Sequence, residues 1–224
     1  MCRDRADHAR RIARTVLCAL VVAASAAGAQ TSGQTAFVFR VGTDTIGIER
    51  FTSSPGGVSG EVLLQGQPRV TYLATREAAG RIGELFIVAY PPGSGPDASA
   101  LQSVRLRLVA DTGIAEITAG GATQTQRIPS KAEAFPLLNS SFAMIEVALE
   151  RMTGANRDTV TFPVLLASGG QTLSATARRV SPDSVIVTMG PSQSHLALRG
   201  TRILRPHVPP QRLGAEADRP RQPP

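Results

Sequence analysis

Glu146 and Glu150 are spaced four residues apart, so on a helix they share a face. Paired carboxylates are raw material for general acid–base chemistry. The run around them is amphipathic, however, and both fall opposite its apolar stripe beside Arg151, where water is the expected neighbour. Glu49, Glu61, Glu84 and Glu116 stand singly in strand-like runs, and alternation puts at least some of them on a wet face. Nucleophilic catalysis needs a Ser, Thr or Cys with a base beside it. Outside residues 1–29 the histidines are His195 and His207. His207 lies in a Pro-rich stretch. His195 follows Ser194 directly, and adjacent residues of a strand point to opposite faces. The run Gly190-Pro191-Ser192-Gln193-Ser194 is not a G-x-S-x-G elbow. There is no phosphate loop, zinc spacing or dinucleotide fingerprint. No catalytic residue and no cofactor is therefore expected.

Four copies of a short pattern invite a metal reading: Asp44-Thr45, Asp111-Thr112, Asp158-Thr159 and Asp183-Ser184. Calcium loops need several oxygens close in sequence. None of these copies has a second acid within two positions, so no metal site is expected. Asp suits a turn by accepting from nearby backbone N–H groups, and the Thr or Val that follows suits an extended chain. The pattern reads as strand punctuation.

The elements that would position any site are mostly strands. Ser103–Ala110 alternates cleanly, with Val104, Leu106 and Leu108 on one face and Arg105 and Arg107 on the other. One dry and one wet face is the antiparallel case. Ala36–Gly42 and Thr45–Phe51 read as a hairpin, and further strands are expected at 58–65, 69–74, 81–90, 113–118, 122–128, 159–167, 172–180, 184–189 and 194–200. A final edge strand at 201–205 would complete the set. Pro91–Ser99 is a breaker-rich surface loop. The one long helical run is Pro136–Thr153, with the helix proper at about 137–153. Phe142, Ile145, Leu149 and Met152 recur at helical spacing, Asn139, Ser140 or Ser141 can cap its start, and Gly154 marks its end. The expected fold is mainly β, a curved antiparallel sheet or open barrel with one helix packed across its concave face.

Residues 1–29 read as a signal peptide. Five Arg precede the short apolar stretch Thr15–Ala27, and Ala27-Gly28-Ala29 is a cleavage signal that would start the mature chain at Gln30. That stretch is too short to span a membrane, so no transmembrane segment is expected after cleavage. The expected location is periplasmic or extracellular. Cys2 and Cys18 both lie in this leader, which leaves the mature chain without a thiol or disulfide. Of 24 basic and 17 acidic residues, five against two fall in 1–29 and five against two in 201–224, leaving 14 against 13 between. That near-neutral body is not a nucleic-acid surface. With no Trp and only Tyr72 and Tyr90, aromatic stacking platforms are scarce. Residues 30–205 read as one domain, and 206–224 as a disordered Pro/Arg-rich tail.

The opening hairpin, Phe37–Phe51 (F-V-F-R-V-G-T-D-T-I-G-I-E-R-F), resembles the start of uncharacterised exported bacterial β-domains. Some of these are similar to lipoprotein-carrier half-barrels, in which a curved antiparallel sheet holds a helix. The hairpin also resembles β-rich segments found ahead of some secreted hydrolases. The resemblance carries no functional residue. A sheet with a helix laid on it often encloses an apolar space, and Phe37, Phe39, Phe51, Leu85, Ile87, Phe142 and Leu149 are the residues expected to line it. The same residues also suit a filled core. The expectation is a non-enzymatic envelope protein that binds an apolar or lipid-like ligand, or a protein partner. The alternatives are a structural or interaction domain with no small ligand, and an accessory domain related to secreted hydrolases.

Overall fold

The computed structural model describes residues 34–207 apart from 42, 78–80, 140, 156 and 168–169. The leader expected at 1–29 and the tail beyond 207 lie outside these residues.

Alternating runs joined by tight turns build the first sheet. Its strands are β1 (Thr35–Val41), β2 (Asp44–Ser54), β3 (Gly57–Leu64), β4 (Arg69–Arg76), β5 (Ile82–Tyr90), β6 (Gln102–Val109), β7 (Thr112–Ala119) and β8 (Ala122–Pro129). They pair antiparallel in strict sequence order. Opposite residues share a face, so the register sorts the side chains. One inner row runs through Phe51, Gly60, Tyr72, Ile87, Val104 and Ile117, and the next through Val58, Ala74, Leu85, Leu106 and Ala115. In β6, Leu106 is buried while Arg105 and Arg107 lie outside, reaching Glu84 at 3.1 Å and Glu116 at 2.6 Å across the strand pairs. Gly120 and Gly121, with φ of 56° and 80°, form the two-residue turn between β7 and β8, a conformation that would strain any residue with a side chain.

The second sheet has the order β14-β13-β12-β11-β10-β9 and curls as a half-barrel. Its members are β9 (Phe135–Leu137), β10 (Thr159–Leu166), β11 (Gln171–Ser181), β12 (Ser184–Met189), β13 (Ser192–Arg199) and β14 (Arg202–His207). All its pairings are antiparallel except β9 with β10, where Phe135–Leu137 runs parallel to Val164–Leu166. A parallel pair needs a crossover, and the crossover is the helix α1 (Phe142–Ala155). Three of the Asp punctuation marks extend strand pairings through their backbone: the carbonyls of Asp111, Asp158 and Asp183 accept from the N–H groups of Ser130, just past β8, and of Arg179 and Leu198 on the neighbouring strands at 2.7–2.8 Å.

Three expectations change. The helix begins at Phe142 rather than 136 or 137, because Phe135–Leu137 is drawn into the second sheet and Ser141 is the residue that caps. It also runs through Gly154 to Ala155. The strands form two sheets rather than one, with the break at 130–134. The final strand reaches His207, past the boundary expected at 205.

One apolar cluster joins both sheets and the helix. Leu85 and Leu106 of the first sheet, Phe135, Leu165 and Leu196 of the second, and Met144 of α1 are almost completely buried. Each such side chain stabilises the fold by about 1.5–3 kcal/mol. The described part of α1 is buried nearly all round, Ala143, Met144, Val147, Ala148 and Leu149 included, as a helix packed on more than one side requires. Among the described residues no helix is long and apolar enough to cross a membrane.

Candidate functional site

A half-open groove of about 430 Å³ lies on the inner face of β4–β8. Its floor is Val70, Ile87, Ala89, Val104, Ala115 and Ile117. Leu138, just ahead of α1, and Ala167 and Gly170, beside the β10–β11 turn, form one wall. The floor is open where its inner positions are short: Ala89 follows Ile87 along the inner face of β5, and Ala115 precedes Ile117 along that of β7. Gln102 and Gln126 supply the polar groups. No charged side chain lines it among the described residues. The groove can offer apolar contact and neutral amide hydrogen bonds.

The space directly under the helix is different. Phe37 stacks on Phe51 with ring centres 5.4 Å apart, and Phe142 meets Phe37 edge-on at 5.7 Å and Phe39 at 5.6 Å. Leu149 borders a void of only about 20 Å³ with Phe135, Leu137 and Phe162, room for about one water molecule. Of the seven residues expected to line a groove, Ile87 lines the one on β4–β8. Phe37, Phe51, Leu85 and Leu149 are buried, while Phe39 and Phe142 are partly buried against the core. The groove's other residues carried a faint signal: Val104 was legible as inward-facing, and the glutamines of β8 break an otherwise apolar inner face.

A second constellation sits at the start of α1. Glu49 of β2 is fully buried. Its Oε1 accepts from Tyr72 Oη at 2.7 Å and Ser141 Oγ at 2.6 Å, and its Oε2 accepts from the backbone N–H groups of Phe142 at 2.8 Å and Ala143 at 3.3 Å. Ser141 Oγ in turn accepts from Met144 N–H at 3.0 Å. Two orphan donors of the helix end thus fall to a carboxylate from the sheet and a third to the cap serine. Gly60 makes room for the phenol, since a Cβ there would lie 2.7 Å from Tyr72 Oη. Burial pushes the Glu49 carboxyl above its ordinary value, and the four donors pull it back part of the way. Burial, with the facing carboxylate, pushes the Tyr72 phenol up as well.

One turn further along α1, Glu146 is buried rather than solvated, because β14 closes over it. It accepts from Ile203 N–H at 2.6 Å and from the Arg202 guanidinium at 3.4 Å. Burial raises this carboxyl too. Glu150 is partly exposed and pairs with Arg76 of β4 at 2.6 Å. The glutamates of α1 therefore bond to different sheets, Glu146 to β14 and Glu150 to β4. Both oxygens of Glu49 and of Glu146 are occupied by protein donors, an arrangement that clasps elements together. His195 lies on the exposed side of β13.

No family model matches the chain, and no curated protein matches it. Among solved structures, the crystal structure of a DUF1089 family protein from Pseudomonas aeruginosa is similar over 80% of this chain and 90% of that one, at 10% identity and a TM-score of 0.43. A likeness at that level assigns neither fold nor function.

Proposed function

We propose that the chain is an exported, non-enzymatic binding protein of the bacterial envelope that takes an apolar, single-chain lipid-like ligand in the groove on β4–β8. The groove itself carries this reading. Its volume of about 430 Å³ lies within the ~300–1,000 Å³ range of small-molecule sites, and near its small end, which suits one chain better than two. Its lining is apolar with two neutral amides, the balance that holds a hydrocarbon and orients an uncharged polar end. Export is supported by the leader-like residues 1–29, and the carrier analogy by the likeness of the opening hairpin.

The filled space under α1 favours a second reading, an interaction domain with no small ligand. Native mass spectrometry of the protein purified from the periplasm separates the two. The carrier reading expects a bound mass in the lipid range that is lost on denaturation, on a chain beginning at Gln30. Clean ligand-free mass across several preparations would overturn it.

A further inference from the structure

We propose that β8 is the surface through which two copies of the chain pair, edge to edge, into one continuous antiparallel sheet. Among the described residues the two sheets present four edge strands: β1, β8, β9 and β14. An unpaired edge exposes a row of N–H and C=O groups and is normally blunted by shortness, a bulge, proline or charge. Three of the four are blunted. β9 has three residues, all buried. β1 carries a register shift at Phe39/Arg40, with Arg40 exposed. β14 carries a shift opposite Ala197/Leu198 and includes Arg202, Arg205 and Pro206. β8 has none of these over most of its length. Its register with β7 is unbroken from Thr112↔Pro129 to Ala119↔Ala122, its proline is the last residue, and its one charge is Arg127. Ala122–Arg127 is exposed without interruption. The second sheet touches β8 at its far end, where Thr172 Oγ1 donates to the Pro129 carbonyl at 3.0 Å, and on the inner face, where Gly170 lies against the Gln126 side chain.

The strand is also complementary to itself. Antiparallel pairing about a two-fold axis at Thr125 sets Ala122 opposite Ile128 of the second copy, Thr123 opposite Arg127, Gln124 opposite Gln126 and Thr125 opposite Thr125. Residues directly opposite must share a face. Here the even-numbered positions lie on the inner face with Ala115 and Ile117, and the odd ones lie outside, so the two inner faces join on one side. The lone arginine meets a threonine rather than its own copy. Pro129 falls beyond the paired run, where its missing N–H breaks no bond. One strand pair buries little area, below the ~1,200 Å² of a standard interface, so the dimer is reversible and its population rises with concentration. Gln126 and Ile128 also line the groove, so pairing brings the two grooves to either side of the seam. The dimer does not depend on any ligand being bound.

Sedimentation velocity of the mature chain over a concentration series tests this, with Thr125→Lys and Thr125→Glu as variants. Thr125 is exposed and stands opposite Glu116 of β7 on the outer face, so the far-ultraviolet strand signal of each variant is matched to that of the unmodified chain before association is read. The expected result is a mass that climbs towards twice the monomer for the unmodified chain. Each variant alone weakens association by up to about fivefold, because like charges then face each other across the axis. An equimolar mixture of the two restores the dimer, because the charges become opposite. A monomer at about 1 mM chain, a dimer indifferent to both substitutions, or a mixture that stays monomeric would each overturn the proposal.

Discussion

Glu49 shows how much one side chain can organise. Its four donors come from β4, from the residue ahead of α1 and from the first turn of the helix. Removing one donor leaves the carboxylate short of a partner, and removing the carboxylate orphans all four donors at once, which is the costlier direction. Tyr72→Phe is therefore expected to cost about 1–3 kcal/mol, and Glu49→Ala about 3 kcal/mol or more, in urea unfolding. The pH dependence follows from the raised carboxyls of Glu49 and Glu146. A carboxyl whose pKa is higher in the folded state makes folding take up protons. The stability it contributes is complete below the ordinary value of 4.5 and is lost as pH climbs through the folded value. The urea midpoint should accordingly fall as pH rises from about 4.5, and Glu49→Gln should flatten that slope. Part of this was legible in the sequence. Alternation places Glu49 on the same face as Phe51, an inward position for a charge. Its partners Tyr72 and Ser141 stand 23 and 92 residues away, and no local pattern joins them.

Among elements, the hairpins were the legible part, because a strand pair with a short turn is fixed by neighbours in sequence. The alternation of β6 and the glycine turn before β8 stand where the residues put them. α1 was half legible: its existence follows from helical periodicity, but its start does not. Phe135–Leu137 is too short to show alternation, and its conformation is set by a parallel partner some 30 residues on, Val164–Leu166. The solvated face assigned to Glu146 was misread for the same reason, since Ile203 arrives from β14. Ser141 caps α1 and also donates to Glu49. Ser141→Ala is expected to cost about 1–2 kcal/mol by thermal or urea unfolding, the high end of capping effects, because both bonds are lost. Glu146→Ala should release β14 first, seen as faster amide exchange at Ile203 than in β12.

For the molecule as a whole, the division into two sheets was not legible, because consecutive strands look alike whether or not they pair. The groove was visible only as a class of feature, and its place came from the register that lines up Ala89, Ala115 and the glutamines of β8. Small residues there leave space that a larger one would fill. Ala89→Phe is expected to remove a groove ligand from the native mass spectrum while keeping the melting temperature within a few degrees, since the added ring enters open volume rather than the packed core.

The bonds from Glu49 to Phe142 and Ala143 span 93 and 94 residues, and that distance has a consequence for the order of assembly. A chain made from its N-terminus completes all eight strands of the first sheet before residue 142 exists. Until then the carboxylate faces open solvent beside Phe37 and Phe51 with no helix above it. Arrival of α1 is the event that dries this face, so desolvation of the charge comes late and all at once. A nascent chain halted before that point would carry a finished sheet with a wet, adhesive side, the kind of surface that folding helpers exist to cover.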